Sequence, residues 1–108
     1  MKTLAVLGVL LMAACPETKS IKELLDDPGR YDGETVRIAG QVTEAAGVLG
    51  VGGYQVNDGT GTLTVVAEGG SGTPRVGAKV GVEGTFRSAF TLGTRTLAVL
   101  MEKERKSP

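Results

Sequence analysis

The chain has 108 residues, 12 basic and 12 acidic side chains, no histidine, no tryptophan and one cysteine. These counts exclude an internal disulfide, a zinc site made of His and Cys ligands, and a catalytic triad with His as its base. A formal net charge of zero is atypical of a general nucleic-acid binder. We therefore expect no enzyme, no cofactor and no metal.

The first fifteen residues have the pattern of an export signal. Lys2 precedes an uncharged run over residues 4–11, and Met12-Ala-Ala leads to Cys15. The apolar run is too short to span a bilayer and has the length of a secretory signal. This ending resembles the lipobox of bacterial lipoproteins, although Met12 stands where that family prefers Leu. The resemblance implies that residues 1–14 are removed and that Cys15 is acylated; an ordinary signal or an uncleaved anchor are the alternatives.

The mature chain of 94 residues has room for one small domain. Lys2 is the only charged residue of the signal, so 11 basic and 12 acidic side chains remain and the formal net charge is −1. Residues 15–19 are the expected lipidated tether. Lipidation implies the periplasmic face of a membrane in the bacterial cell envelope. Pro16 replaces the Asp that marks inner-membrane retention in many Gram-negative lipoproteins, which favours the outer membrane.

A short helix opens the predicted domain, residues 20–102. Ser-Ile-Lys-Glu at 20–23 has the pattern of a capping box, and Asp-Pro-Gly at 27–29 stops the helix. We expect one side of this helix to carry Ile21, Leu24 and Leu25.

Five strands follow the helix. Alternation of Val36, Ile38 and Val42 with polar residues predicts a half-buried first strand over residues 35–43. Asp-Gly-Thr-Gly at 58–61 predicts a hairpin turn. The other predicted strands are residues 53–57 with Tyr54 and Val56 inward, 62–68 with Leu63, Val65 and Ala67 inward, 79–87 with Val80, Val82 and Phe86 inward, and 95 to about 102. In the last strand Leu97, Val99 and Met101, or Ala98 and Leu100, are both credible inward sets, and residues 103–108 are an expected frayed, charged tail.

These elements predict a mainly β fold, a five-stranded OB-fold barrel with a short N-terminal helix. The chain is too short for a sandwich, and closure of the sheet removes its edges. A long first strand, a tight second-to-third hairpin and a longer third-to-fourth connection match the OB-fold. Gly40 would permit the coiling that lets the first strand serve both halves of the barrel.

Three segments also resemble a family, the OB-fold domains of bacterial exported proteins. DPGRYDGETVRIAGQV at 27–42 is similar to their opening, YQVNDGTGTL at 54–63 resembles the hairpin of OB domains including the anticodon-binding type, and VGVEG at 80–84 resembles their fourth strand. The resemblance covers about residues 21–102 and implies the fold. It also implies ligands, often oligonucleotides or oligosaccharides, that lie across strands two and three between flanking loops.

The predicted outer face of strands one to three is the candidate binding surface. Its candidate ligand-binding residues are Arg37, Gln41, Gln55, Asn57, Thr62 and Thr64, accompanied by Val66. Single-strand binding needs aromatic platforms, worth about 1 to 3 kcal/mol per stacked base, in a basic groove. This face has no aromatic residue and one positive charge, so nucleic acid is not the expected partner. Tyr54 is expected to face inward and Tyr31 to pack.

Other features have simpler explanations. The glycine-rich segment 47–53 is expected to be a hairpin tip rather than a phosphate site, since no helix follows it; its apolar Val48, Leu49 and Val51 could contact a partner or the lipid. Asp58 is expected to cap its own turn, and Phe90 is the best candidate for an exposed aromatic. An acidic cluster matches no calcium loop and is interpreted as solvated: Asp26, Asp27, Asp32 and Glu34.

The sequence thus predicts a membrane-anchored lipoprotein that acts as a binding or interaction module. Its expected partners are membrane lipid through the acylated Cys15 and either an envelope protein or a small ligand. An envelope protein would dock on a barrel edge or on the apolar loop. An oligosaccharide or other small ligand would bind the polar strand face, and an oligosaccharide- or nucleic-acid-binding OB domain is the alternative function.

Overall fold

The computed structural model describes residues 17–48, 51–67, 72–92 and 94–106. The predicted signal, 1–14, and Cys15 lie outside the described residues. The elements are α1 Ile21–Asp26, α2 Pro28–Tyr31, β1 Thr35–Val48, β2 Val51–Asn57, β3 Thr62–Ala67, β4 Lys79–Leu92 and β5 Arg95–Lys106. Neither helix in these ranges has the length and apolar character needed to cross a bilayer.

The five strands close into one barrel in the order β1-β2-β3-β5-β4, with β4 returning to β1. All neighbouring pairs are antiparallel except β3 and β5, which are parallel. The first strand changes partner along its length: it pairs with β4 from Thr35 to Gln41 and with β2 from Gln41 onward. A β-carbon added to Gly40 would overlap the Asn57 carbonyl. Glycine at this position therefore lets three strands meet, as predicted.

The inward sets of β1 to β4 are confirmed. Their apolar side chains form one core with Ile21 and Leu24 of α1 and with Tyr31, while Leu100 completes it from β5. Two expectations about single residues are wrong. Leu25 is 39% exposed rather than on the buried side of α1, and Val66 is 2% exposed rather than outward in solvent. Because Val66 lies between Gly53 and Met101 of the neighbouring strands, it belongs to no polar row.

The predicted start and stop of the first helix are both confirmed, since α1 runs from Ile21 to Asp26 with Asp27 as its C-cap. Ser20 Oγ accepts a hydrogen bond from the Glu23 amide at 3.1 Å. The Glu23 carboxylate accepts from the Tyr31 hydroxyl at 2.8 Å and so does not complete the capping box. A separate short helix that the sequence did not predict, α2, begins at Pro28, where the missing N–H of proline costs nothing.

Strands β1, β4 and β5 run further than predicted. The frayed tail is wrong for residues 103–106, which belong to β5 and of which residues 104–106 pair with β4. Bulges between Glu83 and Gly84 and between Arg87 and Phe90 interrupt the alternation from which strand ends are predicted. The register of β5 places Leu100 in the core with Ala98 packed against it. Val99 is also buried, so each of the two alternative inward sets contains a buried residue.

A polar cluster fastens the end of β5 to the rest of the barrel. The Tyr54 hydroxyl donates to Glu102 Oε1, and Arg105 Nη1 donates to the same oxygen at 3.1 Å and to the Gly72 carbonyl at 3.2 Å. The guanidinium lies 5.5 Å from the centre of the Tyr54 ring. Burial, together with the hydrogen bond to Glu102, raises the pKa of Tyr54 above its usual range, so its hydroxyl stays a donor. We call Tyr54, Glu102 and Arg105 the Tyr54 cluster.

Candidate functional site

Strands β1, β2 and β3 present two rows of polar side chains on the outside of the barrel. In these strands Asn57 pairs with both Gln41 and Thr62, and Gln55 with both Glu44 and Thr64. Directly opposed residues in a sheet have β-carbons about 4.5–5.5 Å apart. The structure thus brings together five of the six predicted binding residues and adds Glu44. We call this surface the polar face: Gln41, Glu44, Gln55, Asn57, Thr62 and Thr64.

Sequence reasoning missed Glu44 because of a bulge. The predicted first strand ended at Thr43, whereas β1 continues to Val48. The register shifts between Val42 and Glu44, so one residue is inserted and strict alternation fails there. A Thr-Glu pair after an alternating run does not by itself signal a bulge.

Arg37, the sixth predicted residue, lies apart from the polar face. It is opposite Glu83 of β4 rather than any residue of β2. Its Nη2 donates to Glu83 Oε1 at 3.0 Å, and its carbonyl accepts from the Lys19 amide at 2.7 Å. Because β1 changes partner after Gly40, residues before and after that glycine face different neighbours.

The two rows of the polar face differ in how their side chains are used. Asn57 Nδ2 donates to Thr62 Oγ1 at 3.0 Å, and Asn57 Oδ1 accepts from the Gly59 amide at 2.8 Å. Gln41 Nε2 donates to the Gly77 carbonyl at 3.1 Å. Gln55 and Thr64, by contrast, make no side-chain hydrogen bond within the part of the chain that the structure describes. The row of Gln41, Asn57 and Thr62 is therefore largely structural, whereas the row of Glu44, Gln55 and Thr64 is available to a ligand.

An open groove of about 490 Å³ borders the polar face where β1 leaves β4 for β2. Lys79, at the start of β4, lies opposite Gln41 and makes no ion pair within the described residues. Sequence reasoning did not single out this lysine, which lies at the predicted start of the fourth strand. The Lys79 ammonium gives the groove a donor for a small polar or anionic group, whereas the side-chain amides of Gln41 and Asn57 already donate within the protein. Its lining residues are Ala39, Gly40, Gln41, Asn57, Asp58, Gly59, Lys79 and Val80.

Asp58 caps its turn, as predicted, and also holds α1. Its Oδ1 accepts from the amides of Thr60 at 2.8 Å and Gly61 at 3.2 Å, while Oδ2 accepts from the Ile21 amide at 2.8 Å. Burial opposes ionisation of this carboxylate, but the hydrogen bonds from Thr60, Ile21 and Gly61 outweigh it and hold the pKa of Asp58 below its usual value. Asp58 is thus a structural part of the groove rim.

The aromatic side chains do not contribute to the polar face. Tyr31, Tyr54 and Phe86 are buried. Phe90 is half-buried and pairs with Leu97 on the β4–β5 hairpin. The side chains of Val48, Leu49 and Val51, proposed as a contact tip, lie outside the described residues.

The acidic cluster is divided among separate partners. Asp26 accepts from Lys22 Nζ at 2.6 Å. Asp32 accepts from the Ser88 amide at 2.8 Å, and this hydrogen bond lowers the pKa of Asp32. Over the described ranges, no three His, Cys, Asp or Glu side chains are grouped as metal ligands would be. Asp26 therefore makes an ion pair within α1, and Asp32 connects the turn before β1 to Ser88 of β4.

Comparison with known proteins identifies a fold and no family. No protein-family profile matches the chain, and no curated protein matches it. Among solved structures it is similar to asparaginyl-tRNA synthetase from Pyrococcus horikoshii complexed with asparaginyl-adenylate, with a TM-score of 0.69 and 20% identity over 84% of this chain and 22% of that one. The chain spans about a fifth of the length of the synthetases it matches.

A second group of similar structures has nearly the length of this chain. OBody AM3L15 bound to hen egg-white lysozyme matches with a TM-score of 0.64 and 18% identity, over 85% of this chain and 94% of that one. OBody AM1L10 bound to hen egg-white lysozyme matches with a TM-score of 0.62, also at 18% identity. At these identities the likeness establishes the architecture alone: a mainly β, five-stranded closed sheet of the OB type with two short helices.

Proposed function

We propose that this protein is a lipid-anchored binding module of the bacterial cell envelope that engages a protein partner through its polar face. The observation that carries the proposal is the row Glu44, Gln55 and Thr64. It lies on a closed sheet, and its Gln55 and Thr64 side chains are not used for hydrogen bonds within the described part of the chain. The lipobox-like ending at Cys15 supports the anchor.

The binding role follows from the chemistry of that row. Amide, hydroxyl and carboxylate groups side by side can exchange hydrogen bonds with a polar protein surface. The barrel orients them without a mobile loop, which lowers the entropy lost on binding. The OBody structures bound to lysozyme illustrate that a closed sheet of this size can bind another protein.

Binding of nucleic acid is the second candidate, because several similar structures are tRNA synthetases. Two features of this chain oppose it. The polar face has no aromatic side chain for stacking and includes the acidic Glu44, and Arg37 is engaged by Glu83. Affinity for phosphates comes mainly from unpaired cations, so the synthetase likeness supports the fold more than the ligand.

The anchor is tested by mass spectrometry of the mature protein. We expect Cys15 at the N-terminus with a diacylglyceryl group and a further acyl chain, and retention in the membrane fraction after a salt wash, since two or more chains hold a protein stably. Cys15→Ser should be released or unprocessed. An unmodified Cys15 on a soluble protein would contradict the anchor.

The binding surface is tested with a photo-crosslinking residue at position 55 in cells. We expect a discrete adduct with an envelope protein. The adduct should disappear when Thr64→Arg places a larger side chain in the row of Glu44, Gln55 and Thr64. A crosslinker at Thr35, an exposed β1 residue outside the polar face, is the matched control and should give no such adduct. Equal adducts at positions 55 and 35 would reject the polar face as the interface.

A further inference from the structure

The chain is fixed to the barrel almost immediately after the anchor cysteine. Thr18 forms a parallel bridge with Arg37 of β1, and the Lys19 amide donates to the Arg37 carbonyl at 2.7 Å. The next residue, Ser20, caps α1. Residues 18 and 19 of the predicted tether 15–19 are thus bound to the barrel surface, and Pro16 and Glu17 alone separate Cys15 from it.

Side chains reinforce this attachment. Lys19 Nζ lies 3.6 Å from a carboxylate oxygen of Glu17 and 3.9 Å from one of Glu23. The same ammonium is 5.8 Å from the centre of the Tyr31 ring, which is buried in the core. Because backbone and side chain hold the segment together, it does not act as a swinging linker.

The β2–β3 turn lies beside this attachment. Asp58 Oδ2 accepts from the Ile21 amide, and Thr60 Oγ1 accepts from the Lys22 amide at 3.1 Å. Thr18, the start of α1 and the turn 58–61 therefore form one side of the barrel, which we call the anchor side.

Three residue steps, from Cys15 to Thr18, span at most about 11 Å of fully extended chain. An acylated cysteine is held at the level of the lipid headgroups, a zone about 5 to 8 Å thick in each leaflet. We propose, on the basis of the lipid anchor proposed above, that the anchor side is held against the headgroups of the membrane that carries the protein. The barrel then has one fixed orientation on the bilayer.

The charges of the anchor side do not create this contact. Lys22 pairs with Asp26 at 2.6 Å, Arg37 pairs with Glu83 at 3.0 Å, and Lys19 lies between Glu17 and Glu23. Paired charges offer little net attraction to anionic lipid, and salt screens what remains beyond about 8 Å. Chain length enforces the contact, so it should not depend on the anionic lipid content.

The orientation of the barrel on the bilayer determines how far from the membrane a partner can bind. Ala39 and Gly40 of the groove follow Arg37 closely along β1, so the groove opens beside the anchor side. The remainder of the polar face continues along the same strand. A partner fixed in the opposite membrane is therefore out of reach, since a tether this short cannot carry the barrel across the periplasm.

Depth-dependent fluorescence quenching tests the proposal in the full lipidated protein. The acylated Cys15 is the chain's single cysteine and has no free thiol, so Lys22→Cys, at a side chain 64% exposed, labels one site. The protein is reconstituted in vesicles of phosphatidylethanolamine and phosphatidylglycerol that contain headgroup-quencher lipid. A matched variant carries a flexible Gly/Ser insert of about twelve residues between Pro16 and Glu17, with a mean span of roughly 19 Å.

We expect strong quenching at position 22 and roughly a two- to threefold loss of it with the insert, because the insert exceeds the headgroup zone. A label at Glu44→Cys, about 23 Å of strand beyond Arg37, should be quenched less and change less. Replacing phosphatidylglycerol by phosphatidylcholine should leave the pattern unchanged. The mass of the N-terminal peptide is measured on the same samples.

The outcomes separate the two proposals. An acylated Cys15 with equal quenching at position 22 in both tether lengths overturns the contact and leaves the anchor intact. Quenching that disappears without phosphatidylglycerol also overturns it, because attraction rather than chain length would then hold the barrel down. A Cys15 without lipid overturns the anchor, and the contact with it.

Discussion

Gly40 allows β1 to belong to both halves of the barrel. The space that a β-carbon at this position would need is occupied by the Asn57 backbone. Gly40→Ala would push a β-carbon into the Asn57 carbonyl, an obstacle that no side-chain rotation relieves. We expect a loss of about 1 to 3 kcal/mol in the free energy of unfolding, measured by urea denaturation. Gly29→Ala is the control, because its β-carbon would have no heavy atom within 4 Å. Equal midpoints for both variants would refute the crowding at Gly40.

Asp58 connects the β2–β3 turn to the start of α1 through its second carboxylate oxygen. Asp58→Asn keeps an acceptor for Thr60 and Gly61 but presents N–H groups to the Ile21 amide. We expect a loss of about 1 to 2 kcal/mol, or roughly 4 to 16 °C in Tm for a domain of this size. Asp26→Asn removes the same charge from an exposed ion pair with Lys22 and should change Tm little.

The lowered pKa of Asp58 makes part of the stability depend on pH. The folded-state pKa is below the unfolded value of about 3.9, so the contribution is complete above that pH and is lost as the pH falls through the folded value. The wild type should therefore lose more stability between neutral pH and acid than Asp58→Asn. Asp32, whose pKa is also lowered, contributes to both proteins and cancels from the comparison. Parallel pH profiles would contradict the assignment.

Strand β5 is the element in which the sequence prediction and the structure differ most. Ending the chain at Glu102 removes the pairs of residues 104–106 with β4 and takes Arg105 from the Tyr54 cluster. The Glu102 carboxylate, whose side chain is 6% exposed, would then keep its charge without the ion pair to Arg105. We expect a loss of about 2 to 4 kcal/mol in the free energy of unfolding, measured by urea denaturation. A chain ending at Lys106 is the control. Equal free energies of unfolding for the two chains would show that residues 103–106 are a frayed tail.

The elements were predictable where one side chain in two faces the core. Val36, Ile38 and Val42 locate β1, and the Asp-Gly-Thr-Gly turn locates the β2–β3 hairpin. The prediction failed where charged residues are partly buried within a strand, as Glu102 and Arg105 are, and where bulges break the alternation. For the polar face, alternation selected Gln41, Gln55, Asn57, Thr62 and Thr64 correctly. It could not separate Arg37 from them, because a change of partner within one strand depends on tertiary structure.

The molecule as a whole is close to electrically neutral, and this decides its behaviour toward nucleic acid. We expect the domain from Glu17 onward to show no binding to a mixed-sequence single strand of about twenty bases at micromolar protein and physiological salt. Fluorescence anisotropy titration measures this. Sub-micromolar affinity that weakens in Lys79→Ala would contradict the expectation and place the nucleic acid in the groove beside Gln41.

The closure of β1 on β4 has a consequence for the time course of folding. Thr35 pairs with Thr85, and the parallel pairing of β3 with β5 also joins segments distant along the chain. The entropy of closing such long loops is lost before the stabilising contacts form. Barrels of this kind therefore fold in roughly milliseconds to seconds rather than microseconds. The barrel cannot close before residue 85 is available. For the export to the cell envelope proposed above, the chain would therefore remain unfolded, and able to cross a membrane, until most of it has been made.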